Sequence, residues 1–566
     1  MLSSFFFLTC LSSVVVGVLG LHSQLPVPLP VLYRSVENYT PPPTLTFDMP
    51  IDHFDDSDTR TYKNRYWIND TFYQEGGPVF FYDVGEGAVS DLRVIEFLGE
   101  DGTRNAPLRL AEQFKGMAVV WEHRFYGGSL PFPLDKDTGK ALEGYDAYKY
   151  LNNEQALEDT VYFASNFKPP GYEDSTSLSP SNTPWIWVGA SYSGVRGAIM
   201  RVRNPEIFYA TWASSAPVQA QIDMSVYANP MQQSMPSNCS ADAHAAVAYA
   251  DNIFLHGTPE EVSTLKRAIY LACNIHTDPA ILEIDQVDAD SLDYYFLAAN
   301  LSYPFYLNGF SFQYYNYAGS LGNFCDFLES WNPGNATDFD IDTTGTEWLR
   351  DSADGDLTTD GVAASYGNEQ AFYAFLAFLS ANAYQSQNTS RGSDDFSLLV
   401  DNVSWNWQYC SEFGYFMVAN ASDPTSLISR FLDVPGRAQH DCKDVFSYAP
   451  DLPDVDTILK YGGYSMSPSN TLFTDGERDP WRTLGVQATK EINPSASIRE
   501  STIDVPACNA PPEGGKVFGV IYADEVHGSD MARSVKKVGS EKVSPADTGF
   551  HLFSKALEKW LECWKQ

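Results

Sequence analysis

The run Trp185-Ile186-Trp187-Val188 is uninterrupted apolar, enters Gly189-Ala190-Ser191-Tyr192-Ser193-Gly194, and leaves as the helix-like Val195–Val202, which Asn204-Pro205 stops. A serine flanked by small residues two before and two after, between a buried strand and a helix, is the pattern of a nucleophile elbow. Ser193 stands where the common G-x-S-x-G pattern has its last glycine, and serine is small enough for the close approach. Such a turn lifts a hydroxyl clear at the carboxyl end of a parallel sheet. There the amide of Tyr192 can help to bind an oxyanion. The rest of the chain agrees. Short apolar runs at Pro78–Tyr82, Gly116–Trp121 and Phe208–Trp212 alternate with helical patterns such as Asn153–Phe167, and the strand signal returns at Thr471–Thr474 and Lys516–Tyr522. Continuous apolar strands separated by helices predict an α/β fold with a mostly parallel sheet covered on both faces, of the α/β-hydrolase type.

In that fold the partners of the serine follow in the order acid, then histidine. Beyond residue 480 only His527 and His551 are present. His527 follows a strand within the polar loop Ala523–Gly528, whereas His551 falls in the closing helical segment Ala546–Trp564. For the acid, Thr471–Thr474 leads into Asp475-Gly476-Glu477-Arg478-Asp479-Pro480-Trp481. Spacing alone leaves Asp475 and Asp479 open.

From about 221 to 455 clear buried strands give way to helical patterns, Ala241–Phe254, Val262–Cys273 and Gln370–Asn382, separated by polar loops. The expected organisation is a signal peptide over 1–20, a first hydrolase part over 21–220, a mainly helical cap over 221–455 and a second hydrolase part over 456–566. The uncharged leader MLSSFFFLTCLSSVVVGVLG is read as cleaved near Gly20; Ser3, Ser4, Ser12 and Ser13 interrupt it too often for a membrane anchor. Export is supported by eight Asn-X-Ser/Thr sequons, at Asn38, Asn69, Asn238, Asn300, Asn335, Asn388, Asn402 and Asn420. The chain is therefore expected to be secreted, with a vacuolar or lysosomal lumen as the alternative. Seven cysteines follow the leader, five of them between 239 and 442, which allows three staples and one free thiol. With 36 basic against 73 acidic residues, the formal charge of −37 excludes nucleic acid and anionic membranes as partners. No paired cysteine spacing suggests zinc, Asp338–Asp360 fails the calcium-loop template, and neither metal nor cofactor is expected.

Five separated segments then carry a resemblance. They are Asp52-His53-Phe54 with Arg65-Tyr66; Gly85-Glu86-Gly87; Glu122-His123-Arg124-Phe125-Tyr126-Gly127; Gly189–Gly194; and Asp479-Pro480-Trp481 with His527. Together with Trp405-Asn406-Trp407-Gln408-Tyr409-Cys410-Ser411-Glu412, which is similar to a WxWQxC segment, they resemble the serine peptidase family of lysosomal Pro-X carboxypeptidase, dipeptidyl peptidase II, thymus-specific serine protease and the fungal acid prolyl endoproteases. The resemblance spans about 52 to 530. It implies a triad of Ser191, Asp479 and His527, and so resolves the choice of acid in favour of Asp479. It implies substrates cut on the carboxyl side of proline, with Trp481, Trp405, Trp407 and Glu412 lining the proline pocket. Asp83-Val84 departs from the family's usual TGxE-like start of its loop, and Gly85 or Glu86 is expected to give the second oxyanion amide. His123 precedes the nucleophile and is expected to be structural.

The expected reaction is acyl transfer through Ser191 with His527 as general base. Carboxypeptidase, dipeptidyl peptidase and endopeptidase modes stay open, as does a homodimer; exopeptidase is preferred. The competing readings are an esterase or lipase on the same fold and a non-catalytic binding protein.

Overall fold

The computed structural model describes residues 41–99, 105–173, 177–274, 288–306, 321–333, 360–389, 395–420, 422–423, 425–531 and 544–564. The expected signal peptide, Asn38, Asn335 and nearly all of the acidic stretch 338–360 lie outside them.

The described residues fold as two compact units. The first comprises 41–222, 395–415 and 446–564. Its sheet contains β1 (Leu45–Pro50), β2 (Thr61–Asn69), β3 (Val79–Asp83), β4 (Met117–Trp121), β5 (Trp185–Ala190), β6 (Phe208–Ser214), β7 (Thr471–Gly476), β8 (Ser501–Thr502) and β9 (Val517–Tyr522). The order across the sheet is β1-β2-β4-β3-β5-β6-β7-β9-β8. Strands from β4 through β8 pair in parallel; β1 and β2 are antiparallel additions at one edge. This order, with an elbow after β5, is the α/β-hydrolase architecture expected from the alternating apolar runs. The edge strands β1 and β2 were not legible as strands, since β2 buries every other residue at its start and reads as polar.

Helices cover both faces. In the first unit α1 (Asp91–Leu98), α2 (Ala106–Phe114), α3 (Asn153–Asn166) and α4 (Tyr192–Arg203) lie between strands; α10 (Asp395–Gln408) and α11 (Pro545–Leu561) come later. On one face Phe80, Tyr82, Val120, Val188 and Trp212 pack with Phe97, Leu108, Phe553 and Trp560 from α1, α2 and α11. On the other, Phe81 meets Trp121, Trp187 and Phe163 of α3. Alternate residues of one strand thus serve two cores, which is why its sequence is apolar without alternation.

The second unit, 223–394 and 416–445, is helical, with α5 (Ser237–His256), α6 (Pro259–Asn274), α7 (Tyr294–Tyr306), α8 (Gly322–Glu329) and α9 (Asn368–Thr389). Cys239–Cys325 staples α5 to α8. Cys508 pairs with Cys563 in the first unit, Cys410 and Cys442 are also disulfide-bonded, and Cys273 is free. The segment 395–415, expected inside the inserted cap, folds with the sheet-bearing unit. Its helical period gave no sign of which body it joins.

Several motif residues turn out to be scaffold. Arg124 is fully buried and forks onto Asp159 through Nε and Nη2, both at 2.6 Å, while its Nη1 reaches the carbonyls of Ile51 and Tyr150. His53 bonds the same carboxylate at 2.7 Å. The Arg124 charge holds the Asp159 carboxyl down at about 2 against its burial. Asp159→Asn leaves Arg124 charged in an interior without a counter-ion, and removing one partner of a buried pair costs about 3–5 kcal/mol. Urea unfolding is expected to show that loss at pH 6, with the denaturant slope unchanged.

Candidate active site

At the end of β5 the chain turns sharply. Ser191 has φ 58° and ψ −129°, a conformation that costs a non-glycine residue on the order of 1–3 kcal/mol. Its N–H donates to the Ser214 carbonyl at 2.9 Å, and its own carbonyl accepts the Val195 N–H, so α4 begins at once. A Cβ on Gly189 would lie 2.0 Å from Ser193 Oγ, and one on Gly194 would lie 2.8 Å from the Ser214 carbonyl oxygen. The small residues around the serine are therefore demanded by sterics.

Two loops on the neighbouring strands bring an acid and a base together. Asp479, fully buried beyond β7, accepts from Nδ1 of His527 at 2.9 and 3.0 Å and from the Trp481 N–H at 2.8 Å. That arrangement puts the Nδ1 proton on the imidazole and leaves Nε2 as the basic nitrogen. His527 sits beyond β9. The Gly528 N–H donates to Ser215 Oγ at 2.9 Å, and a Cβ on Gly528 would meet that of Ala190 at 3.9 Å. The histidine loop therefore abuts the residue before Ser191. Asp475, the other candidate acid, does not touch His527 in any bond. It is buried with Oδ1 unpaired, and burial followed by the charge of Asp479 pushes its carboxyl well above the usual range. His551 lies on α11 and is exposed.

His123 is likewise no rival base. Its Nδ1–H donates to the Arg124 carbonyl at 2.6 Å, and its Nε2 lies 3.0 Å from the Tyr192 hydroxyl. Burial, then the Arg196 charge, drive it well below the usual histidine range, so it is neutral. The Tyr192 hydroxyl also receives Nε2–H of Gln408 at 2.7 Å, and Gln408 Oε1 accepts the Tyr126 hydroxyl at 2.5 Å. None of these residues beyond Tyr192 was singled out from sequence as a group acting on the elbow. The buried ion pair Asp83–Arg196, 2.7 Å, was missed as well; it ties β3 to α4 beside the same ring.

Gly85, after β3, approaches Ser193 and Tyr192. Its N–H is directed to Asp83 Oδ1 at 3.2 Å, away from the expected use as an oxyanion donor. Asp83, where the family has its TGxE-like start, is the reason. Glu86 follows, and burial pushes its carboxyl up to about 7, with nearby His527 acting in the opposite direction.

The four expected pocket residues separate. Trp481 packs 6.3 Å, ring to ring, from His527 and 5.3 Å from Tyr415. Phe413 continues the row to Tyr192 at 5.4 Å, and Trp405, half-buried, closes on Tyr192 at the same separation. Five aromatic rings thus run from the elbow to the imidazole. Trp407 is not among them: its Nε1 donates to the Leu151 carbonyl, and its ring lies in the core with Tyr148, Phe446 and Tyr448. Nor is Glu412, whose Oε2 accepts the Asn153 N–H at 2.7 Å and so serves the first turn of α3. Two residues along the helix α10 turn the side chain by about 200°, which sends Trp405 and Trp407 to different neighbours.

Two sequons are also misplaced. Asn69 is buried, with Nδ2 donating to the Leu98 carbonyl, and Asn402 is buried on α10. A glycan on either does not fit the folded chain. Asn238, Asn300 and Asn420 are half-buried.

Burial raises Asp401 to about 8 and Glu412, like Glu86, to about 7. In the unfolded chain these groups titrate near 4, so the folded state binds more protons between pH 4 and 8. Their contribution to stability is complete below pH 4 and is lost as pH rises through 7–8; His123, held neutral, opposes it below pH 6.5. Thermal unfolding is expected several degrees higher at pH 5.5 than at pH 8.5, a change on the order of a few kcal/mol. A melting temperature that rises over that interval would contradict the assignment.

The sequence profile of the family described as serine carboxypeptidase S28 matches residues 49–282 and 346–502, more than half of the chain. A probable extracellular serine carboxypeptidase of Arthroderma benhamiae is 29% identical over 521 residues, covering 88% of this chain and 67% of that one. Serine protease vicPa of Bipolaris victoriae is 27% identical, covering 84% and 85%. Lysosomal Pro-X carboxypeptidase of Mus musculus is 28% identical, covering 83% of each.

Proposed function

The chain belongs to the serine carboxypeptidase S28 family and is a serine-type peptidase, and we propose that it cuts peptides on the carboxyl side of proline through Ser191, Asp479 and His527. The observation that carries this reading is the aromatic row from Trp405 to Trp481, which joins the elbow to the imidazole. Flat, rigid rings suit a pyrrolidine ring, which offers apolar faces and no amide proton to pair.

In the proposed reaction His527 Nε2 takes the Ser191 proton as Oγ attacks the carbonyl of the proline residue. Asp479 holds the Nδ1 proton and stabilises the imidazolium. The Tyr192 amide, at the start of α4, donates to the developing oxyanion. The imidazolium then protonates the leaving amine, and water activated by the same base releases the acyl group. Among the described residues no helix is long and apolar enough to cross a membrane. We place the enzyme in the secretory pathway, on the sequons and on the word extracellular in the name of the Arthroderma benhamiae relative.

The test is a digest of one peptide with an internal proline, presented free, amino-blocked and carboxyl-blocked, read by mass spectrometry at pH 4.5. Cleavage after proline supports the reading, and the blocked end that stops it names the exopeptidase mode. Cleavage after other residues alone, or of a nitrophenyl ester alone, overturns it.

A further inference from the structure

Tyr192 is both the residue after the nucleophile and the centre of a buried hydrogen-bond chain that the triad does not use. Its members come from three separate stretches: Tyr126 and His123 after β4, Tyr192 at the first turn of α4, and Gln408 at the end of α10. All four side chains are buried, Gln408 completely. The directions of the bonds are fixed from one end. The Arg124 carbonyl can only accept, so Nδ1 of His123 carries its proton and the neutral ring presents Nε2 as an acceptor. The Tyr192 hydroxyl must then donate to Nε2 and accept from its other partner, which requires the amide nitrogen of Gln408. Gln408 Oε1 is left to accept from Tyr126. The Gln408 amide supplies the donor to one tyrosine and the acceptor to the other from one planar group.

We propose that Gln408 is a positioning residue for the oxyanion: through the Tyr192 hydroxyl it holds the first turn of α4, and hence the Tyr192 amide, at the angle the tetrahedral intermediate needs. This rests on the acyl-transfer reading of Ser191. Geometry favours a role at the amide over mere packing. The Tyr192 side chain is held at its hydroxyl by Gln408 and His123, and its ring packs with Trp405 at 5.4 Å and under the Arg196 guanidinium at 5.6 Å, so rotation of the turn would disturb all of these contacts. The oxyanion donor is thereby coupled to α10, a segment remote in sequence. A misaligned donor loses transition-state binding without weakening the ground state.

The test compares wild type with Gln408→Glu, Gln408→Leu and Tyr126→Phe on a Pro-nitroanilide substrate from pH 4 to 8. Gln408→Leu is expected to lower kcat by roughly 10- to 100-fold with KM within about threefold, since losing or misplacing one donor costs up to a few hundredfold. Gln408→Glu is the diagnostic variant. Its carboxyl, when protonated, donates to Tyr192 and accepts from Tyr126 as the amide does; once ionised it can only accept. Its kcat is therefore expected near wild type at pH 4.5 and about tenfold or more below it at pH 7.5, an alkaline limb absent from wild type. Tyr126→Phe, which leaves Gln408 able to turn its oxygen to Tyr192, is expected to lower kcat less than Gln408→Leu and carries the test if Gln408→Leu does not fold. Superimposable pH profiles for wild type and Gln408→Glu, or a change in KM alone, overturn the proposal. Labelling of wild-type Ser191 by a fluorophosphonate, run in parallel, separates the two levels. No label means the acyl-transfer reading itself has failed; label with flat variant profiles means only the positioning role has failed.

Discussion

Ser191→Ala is expected to lower kcat on proline substrates by roughly four to six orders of magnitude, leaving only what binding and oxyanion stabilisation provide. The size follows from geometry. The strained turn at Ser191, φ 58°, exists to aim one hydroxyl, and no other side chain at that point of the sheet can replace it. Ser193, two residues on, is buried with its Oγ against Gly189. Stability should change little or rise, since alanine at the elbow forfeits no buried hydrogen bond made by the serine backbone. Progress curves with wild type and variant at equal concentration, with folding checked by circular dichroism, decide it. A variant retaining a tenth of the activity would place the nucleophile elsewhere.

The second large effect separates two aspartates four residues apart. Asp479→Asn keeps the shape of the side chain but presents an amide to Nδ1, which favours the wrong tautomer and removes the counter-charge for the imidazolium. A loss of about four orders of magnitude in kcat is expected. Asp475→Asn should behave quite differently. Burial and the neighbouring Asp479 push the Asp475 carboxyl well above its usual range, which favours its neutral form, so a neutral amide of the same shape is a close substitute. Its kcat is expected within about threefold of wild type, with stability unchanged or improved as pH rises, because removing a buried acid whose Oδ1 has no partner removes a cost that grows with ionisation. Equal losses for both variants would mean that the pair acts as one unit and that the bond lengths to His527 misidentify the acid.

The strand run Trp185–Val188 and the elbow turn after it were readable because each is a local pattern with a local cause. Apolar continuity reports burial on two faces, and small flanking residues report a turn in which a Cβ would collide. The antiparallel strands β1 and β2 were not readable, because a half-buried edge carries polar residues on alternate positions. The segment 395–415 shows a different limit. Its helix period is ordinary, and only tertiary contact decides that Trp405 meets Tyr192 while Trp407 meets the core around Tyr148. Glu412 failed for the same reason: a buried carboxylate serves a helix start as readily as a pocket. Between Asp475 and Asp479 the bare spacing said nothing, and the family resemblance chose the residue that the bonds to His527 favour.

The central claim is that Ser191 forms the acyl-enzyme with a proline carbonyl. The most direct measurement incubates the protein with a peptidyl-proline diphenyl phosphonate at pH 5 and locates the adduct by peptide mapping. A single stoichiometric adduct on Ser191, formed much faster than with the matching leucine phosphonate and abolished by Ser191→Ala, is the predicted result. An adduct on any other residue, or equal rates for the proline and leucine reagents, would contradict the account.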